Sequence, residues 1–580
     1  MPAFLMSTDF RKSAPEPLAP AAFHVPGSFS TSLDSGLKLV VFEDKRLPLV
    51  SYRLAFLSGD ANDPLDHFGV TSALAAMISE GTETYSSREL AEKIERLGAS
   101  ISVSSSDDFT ILAASALSIY DDDILDLIQE MVLRPSFPED ELDLYRRNTI
   151  EHLKFQRSQP SFLAGEQTAR LLYGEHPYAR VSPSPSDIEN LTRELLVEYH
   201  RKIFVPNNAV MIVVGDVDRD EVVKNISAHF GDWPRGPVAK PTFPALPKRS
   251  KRTLTIVDRP GSAQSNIVIS GIAIDRNSPD YFPFLVMNQI LGAGASSRVF
   301  MNLREEKGYT YGAYTRFDAK RLAGDLEATA EVRTAVTGDS LKEFFYELNR
   351  IRDEKVTEQE LADAKNFLAG VFPIRAETQE GLTGLIVSQN LYGLPDDYLQ
   401  TYREKVSAVT IDGVEQMAKT YIKPEKMAIV IVGDAEEMLP QVRSYAADIE
   451  IFDTDGNVKD INAYSREGTE TIDAGGEWSL NVDFQGQSVP VSLKIVQDGE
   501  SVSGSLETML GTGKIAQGTV KGNKITASAR TEIQGEAVEF SISGKVDGNN
   551  MSGTLSAPVV PEPLTFTGVR AAADQAGVAN

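Results

Sequence analysis

The sequence predicts an α+β protein, in which two similar α/β domains in tandem precede a smaller all-β domain. Three observations support this architecture. β-branched runs alternate with helical stretches over most of the chain, two segments recur at a nearly constant offset, and the C-terminal hundred residues change to short strands separated by turns.

The alternation begins at "LKLVVFEDKRLPLVSYRLAFLSG" and continues with helical stretches at 86–98 and 121–133. The segment "SISVSSSDDFTILAASAL" places polar residues at alternate positions. Such alternation is typical of an antiparallel-rich sheet with helices on one face.

Two internal matches indicate a tandem repeat of about 200 residues. Residues 205–218, "VPNNAVMIVVGDVD", match 423–436, "KPEKMAIVIVGDAE", at an offset of 218. Residues 137–148 match 356–367 at an offset of 219. Two matches at almost one offset predict two copies of the same α/β unit.

Composition shifts predict the domain limits. A flexible leader, 1–27, is rich in Ala, Pro and Ser, and the first α/β domain covers 28–235. A linker, 236–251, lies in a proline-rich and basic stretch, and the second α/β domain covers 252–447. Turn residues every 8 to 12 positions predict a small antiparallel sandwich or barrel over 470–571, which we expect to fold independently.

Bulk composition excludes several classes of function. The 580 residues carry a formal net charge of -26, which argues against nucleic acid and anionic membranes as partners. With no cysteine in the chain, a metal would need His, Asp or Glu ligands. The sequence contains no run of 18 apolar residues, so it predicts no membrane span. The N-terminus lacks a standard signal peptide, so we expect a cytoplasmic protein, or a periplasmic one if the true start differs.

A first candidate site begins with a glycine-rich turn in "GAGASSRVFMNLREEKGYTYGAYTRF", residues 292–317. The turn could cradle an anion at a helix start, although the GK[ST] of a nucleotide-binding loop is missing. The alternative is a turn that lets two backbones pack closely. The candidate substrate-binding residues are Gly292, Gly294, Ser296 and Ser297.

The same segment predicts a helix followed by a strand, which can bring Arg304 beside Tyr311. A guanidinium and a phenol aimed at one point would bind a carbonyl oxygen well. The alternative interpretation is an ordinary surface arginine and a half-buried tyrosine.

"SSRVFMNLREEKGYTYGAY" resembles the second-domain signature of the M16 (pitrilysin/insulinase-like) zinc peptidases. The resemblance extends over about residues 28–447 and includes "FVPNNAVMIVVGD" and "YGEHPYAR". It implies tandem α/β repeats, a zinc site in the first repeat and an Arg/Tyr pair in the second. On this basis Arg304 and Tyr311 would bind the substrate carbonyl.

The family's inverted zinc motif, HxxEH, is degenerate in "GVTSALAAMISEGT". The resemblance places its two histidines at Ser72 and Ala76, and its general base at Ala75. Glu151 and His152 are the candidates for the downstream acidic ligand. None of the six histidines forms an HxxxH or HExxH pair, so we expect no metal in this chain.

The resemblance implies a non-catalytic subunit of a heterodimeric M16 peptidase, inactive alone. Its partner would be an M16 chain with an intact HxxEH motif, which would hold the zinc, and its substrate would be a peptide. Two alternatives stay open. The chain could be a peptide-binding or chaperone-like module, or a structural subunit that docks through its C-terminal β-domain.

Overall fold

The computed structural model divides the chain into two compact units, Met1–Ile461 and Asn462–Asn580. Most of the predicted leader lies outside the described residues, as do parts of the predicted linker and β-domain. Within the described residues, no helix is long and apolar enough to cross a membrane. The described residues are 25, 27–238, 242–464, 472–484, 487–508, 511–533, 536–556 and 563–571.

The first α/β repeat alternates strands and helices as the sequence predicts. Its elements are β1 (Phe29–Ser32), β2 (Lys38–Glu43), β3 (Leu49–Phe56), α1 (Val70–Met77), α2 (Ser87–Arg96), β4 (Ser100–Ser105), β5 (Thr110–Leu117), α3 (Asp121–Leu133), α4 (Glu139–Arg157), α5 (Pro160–Tyr173), α6 (Pro185–Glu189), α7 (Arg193–Ile203), β6 (Ala209–Gly215) and α8 (Arg219–Phe230).

The second repeat follows the same order. Its elements are β7 (Thr253–Asp258), β8 (Gln264–Ile272), α9 (Tyr281–Leu291), α10 (Arg298–Phe300), a π-helix (Met301–Glu306), β9 (Ala313–Ala319), β10 (Gly324–Arg333), α11 (Thr337–Asp353), α12 (Glu358–Arg375), α13 (Gln379–Leu391), α14 (Tyr398–Ser407), α15 (Ile411–Tyr421), β11 (Ala428–Gly433), α16 (Ala435–Val442), β12 (Asp448–Phe452) and β13 (Val458–Lys459).

The two sheets have equivalent topology, which confirms the predicted repeat. The first has the order β1-β2-β6-β3-β5-β4 and the second β13-β12-β7-β11-β8-β10-β9. In five matching strands of each sheet, one parallel pair (β2 with β6, or β7 with β11) lies beside antiparallel strands. The edges differ, because β1 pairs antiparallel with β2, whereas β12 pairs parallel with β7. The second sheet continues past the predicted limit at 447, because β12 pairs with β7 and β13 with β12.

Each repeat covers one face of its sheet with its own helices. In the first repeat, side chains on one face of β3 pack against α1, α3 and α8 in a single core, as Leu54, Leu74, Ile128 and Phe230 illustrate.

Local sequence sets where helices begin. Ser86 and Glu89 form a capping box at the start of α2, and Thr357 and Glu360 form one at the start of α12.

The opposite face of each sheet is covered by a helix from the other repeat. Leu163 and Ala164 of α5 pack on Val257, Val268 and Val430 in the second sheet. In return, α13 packs on the first sheet. The residues in this second contact include Val40, Ala55, Ile212, Leu382 and Ile386. The two repeats therefore exchange equivalent helices, and each completes the other's core.

The C-terminal unit contains a closed antiparallel barrel, which is one of the two predicted forms. Its strands are β14 (Gly476–Phe484), β15 (Gln487–Asp498), β16 (Ser501–Thr508), β17 (Gly511–Lys521), β18 (Lys524–Ile533), β19 (Glu536–Asp547), β20 (Asn550–Ser556) and β21 (Leu564–Arg570). Each pairs with the next in sequence, and β14 closes the barrel on β21. Trp478, Leu493, Ile525 and Phe566 belong to the packed interior.

Because each sheet depends on the other's helix, we expect the two repeats to unfold together. Leu163→Ala should lower the free energy of unfolding by about 2–5 kcal/mol, as buried leucine truncations do. Both repeats should lose stability in one transition, measured by hydrogen exchange in rising denaturant. Leu65→Ala is the control, because Leu65 is 88% exposed. Two separate transitions, with only one shifted by the mutation, would contradict the exchange account.

Candidate functional site

The three positions assigned to the zinc motif lie on α1. The helix begins after Gly69, which has a left-handed φ of 91°. Ala75 is buried, and Ser72 and Ala76 are half-buried. A catalytic zinc takes three protein ligands from imidazole, thiolate or carboxylate groups, and these side chains offer none. This part of α1 does not fit a zinc ion.

A carboxylate from the loop after β3 contacts the first motif position instead. The Ser72 hydroxyl lies 3.0 Å from Oδ2 of Asp60 and 2.8 Å from the hydroxyl of Ser105 on β4. Burial raises the pKa of Asp60, while hydrogen bonds from Ser105 and Ser72 act in the opposite direction. The network ties α1 to β4 at the first of the predicted motif positions.

A second buried carboxylate fixes the start of α1. Asp63 accepts hydrogen bonds from the Gly69 N–H at 2.7 Å and from the Thr71 hydroxyl at 2.5 Å. Burial raises the pKa of Asp63 to about 7, although hydrogen bonds from Thr71 and Gly69 oppose that shift. Neither aspartate is among the site residues predicted from the sequence. The signal available was the acidic segment "SGDANDPLDH", which ends two residues before Gly69.

The two candidates for the downstream ligand are exposed on α4. Glu151 pairs with Lys154 of its own helix at 2.6 Å. The carboxylate that contacts Ser72, the first motif position, belongs to Asp60 and not to Glu151. His152 makes no such contact among the described residues. Across the described part of the chain, no three His, Asp or Glu side chains converge as metal ligands would.

Arg304 lies on the π-helix that follows α10. Its guanidinium is 4.8 Å from the centre of the Phe300 ring, and its Nε is 3.5 Å from Glu305. The side chain is 46% exposed. Stacking on Phe300 holds the guanidinium at the surface without neutralising its charge.

The predicted strand position of Tyr311 is wrong. Tyr311 lies in the loop before β9, which begins only at Ala313. The Thr310 hydroxyl accepts a hydrogen bond from the Gly312 N–H and donates one to the Glu331 carbonyl. These bonds stabilise a turn, and the strand begins only after it. Tyr311 is 92% exposed. Within the described residues no hydrogen bond or ring contact joins Tyr311 to Arg304, so the two side chains do not interact directly.

The glycine-rich turn packs closely against the sheet. The Thr315 N–H donates to the Gly292 carbonyl at 2.9 Å, and a Cβ at position 292 would come within 2.4 Å of the Thr315 nitrogen. Gly292 therefore serves the close approach of α9 and β9. Ser296 is exposed, whereas Ser297 is only 2% exposed. Binding of substrate by Gly292, Gly294, Ser296 and Ser297 stays a prediction.

These features define a paired α/β repeat with a surface arginine and tyrosine in the second copy and a metal-free motif in the first. The family model described as "Insulinase (Peptidase family M16)" matches residues 39–181, and "Peptidase M16 inactive domain" matches 190–368. The chain belongs to peptidase family M16, because these two models of the family together match more than half of its residues.

Known relatives resemble this chain over most of their length. A "Non-peptidase homolog YmxG" from Helicobacter pylori is 23% identical, over 69% of this chain and 92% of its own. An "Uncharacterized zinc protease YmxG" from Bacillus subtilis is 21% identical, over 70% and 98%. A crystal structure of a peptidase M16 inactive domain from Pseudomonas fluorescens matches with a TM-score of 0.66 and 28% identity, over 70% and 98% of the two chains.

We expect the purified full chain to retain no tightly bound zinc, because Ser72, Ala75 and Ala76 supply no ligand. Metal analysis after dialysis against micromolar zinc measures this directly. An M16 peptidase with an intact HxxEH motif, treated in parallel, is the positive control. About one zinc per chain, together with peptide cleavage that a chelator abolishes, would contradict the prediction.

Proposed function

We propose that this chain is the non-catalytic subunit of a heterodimeric M16 zinc peptidase. One contrast within the chain carries the proposal. The zinc-motif positions have lost their ligands, yet the Arg/Tyr pair of the second repeat is intact and accessible at Arg304 and Tyr311. Such a pair is useful to a peptidase only if another subunit presents the zinc.

The chemistry proposed for the pair is stabilisation of a carbonyl oxygen. When water attacks a peptide carbonyl, its oxygen becomes negative, and positioned donors stabilise that charge more than they stabilise the ground state. Tyr311 is 92% exposed, and the ionic contact of Arg304 to Glu305 is long at 3.5 Å. Both donors are therefore accessible to an incoming peptide.

The remaining parts of the proposal concern partner, metal and substrate. A second M16 chain with an intact HxxEH motif would hold the zinc, since the positions in this chain do not fit the ion. The substrate would be a peptide, held between the two subunits and supported by the turn from Gly292 to Ser297.

A peptide-binding module without peptidase activity is the second candidate. One observation favours it: the surface near Arg304 exposes Met301 at 42% and Tyr314 at 43%, and the Tyr314 ring lies 5.4 Å from the Phe300 ring on which Arg304 stacks. An exposed tyrosine near an arginine is typical of protein-binding surfaces.

In the complex with the zinc-bearing subunit, Arg304→Ala or Tyr311→Phe should lower kcat about a hundred- to a thousandfold, because each removes one donor to the developing oxyanion. Arg304→Lys should restore little, since an ammonium lacks the planar fork of a guanidinium. Zinc content and subunit association should not change. Arg88→Ala is the matched control, because Arg88 lies in the first repeat and is 87% exposed.

Two results would count against the main proposal. Wild-type turnover in both variants, with the complex saturated, would show that the pair has no catalytic role. Loss of peptide binding by the isolated variants, with no cleavage by any complex, would favour the binding module.

A further inference from the structure

The segment that carries Arg304 has an unusual backbone. After one turn of α10, Met301–Glu306 form a π-helix. π-helical turns are rare, and they occur frequently at functional sites. Arg304 lies inside this turn, so whatever stabilises the π-helix also sets the direction of its guanidinium.

The first repeat contains the equivalent segment and provides an internal reference. Ser-Ser-Arg begins both segments, at 86–88 and at 296–298. Gly98 and Gly308 follow their arginines at the same spacing, with left-handed φ values of 59° and 63°. In the first repeat the segment is the regular helix α2, of which only Leu90 is buried. The π-helix is therefore particular to the repeat that holds Arg304.

The arginines that begin the two segments have different surroundings. Arg88 is 87% exposed and pairs with Glu92 one turn later. Arg298 has a side chain only 6% exposed, and it donates to both oxygens of Glu360, at 2.7 and 3.1 Å. Burial opposes ionisation, but hydrogen bonds from Arg298 and Thr357 lower the pKa of Glu360 to about 2. The second segment is thus anchored to the start of α12.

A second anchor lies inside the π-helix. Asn302 is 5% exposed, and its side-chain amide donates to Glu343 at 3.1 Å and to Glu347 at 2.9 Å. Both glutamates belong to α11. Residue 302 of the second segment corresponds to Glu92 in α2, which is 53% exposed and bonds only within its own helix. The first repeat has no such anchor at this position.

We propose that Asn302 is a positioning residue for Arg304. This inference rests on the function proposed above for Arg304. Residues two apart lie on nearly opposite sides of a helix, so Asn302 faces α11 while Arg304 faces solvent. By bonding Glu343 and Glu347, the amide fixes the π-helical turn, and the turn fixes the direction of the guanidinium.

The geometry gives the reason why this contact affects function more than folding. If the π-helix relaxed to an α-helix, the tighter winding would rotate the later residues of the turn about the helix axis. The helix would survive, but Arg304 would present its guanidinium in a different direction relative to α11. A misplaced donor loses its catalytic effect.

The test uses Asn302→Ala and Asn302→Asp in the full chain, assayed with its zinc-bearing partner on fluorescein-labelled β-casein. Asn302→Asp keeps the shape of the side chain but replaces the donating amide with a carboxylate, which cannot donate to Glu343 and Glu347. We expect kcat to fall roughly tenfold with KM little changed. In an Arg304→Ala background neither variant should lower kcat further. Hydrogen exchange should quicken over residues 300–311 alone. Glu92→Ala, at the equivalent position of the first repeat, should change nothing.

The outcomes separate this inference from the proposed function. If Arg304→Ala lowers kcat but the Asn302 variants do not, the positioning role is wrong and the proposed function stands. Equal losses with and without Arg304 would also overturn the role, because Asn302 would then act by another route. If Arg304→Ala has no effect, the proposed function itself fails. Should both Asn302 variants fold poorly, Glu343→Gln weakens one bond near the surface and tests the same coupling.

Discussion

The exchange of α5 and α13 between the repeats is the packing constraint on which the first unit depends. Each helix covers a face of the sheet that its own repeat leaves open, and most strand residues under these helices are fully buried. Separating the repeats would expose both sheets to water, at a cost of many buried apolar side chains. Each repeat therefore depends on the other for a complete core.

The two repeats hold their corresponding segments by different polar contacts. In the first, Asp60 and Asp63 bind Ser72, Thr71 and the start of α1 through buried hydrogen bonds. That network keeps the helix in place without a metal. In the second, buried polar contacts hold the segment that displays Arg304. The first repeat thus uses its buried carboxylates to hold a helix, whereas the second uses buried polar contacts to hold a segment with an exposed arginine.

Local patterning explains what the sequence could predict. The repeat, the helices over 86–98 and 121–133, and the barrel strands follow from periodicity and turn residues, which act over a few positions. The helix exchange could not be predicted, because α5 and α13 look like ordinary surface helices until the sheets exist. Tyr311 was assigned to a strand because "YTYGAYTRF" has high β-propensity, which the turn at Thr310 overrides. The π-helix has no recognisable sequence signature, so the anchors around Asn302 were missed.

We propose that this chain supplies a substrate-binding half to a second subunit that holds the zinc. The most direct test is native mass spectrometry of the affinity-tagged chain purified from its own cells, with metal analysis of the same sample. We expect a one-to-one complex with a second M16 chain whose HxxEH motif is intact, and one zinc ion that stays with that chain on dissociation. A chain recovered only alone or paired with itself, or a zinc ion that remains with this chain, would show that the proposed heterodimer is wrong.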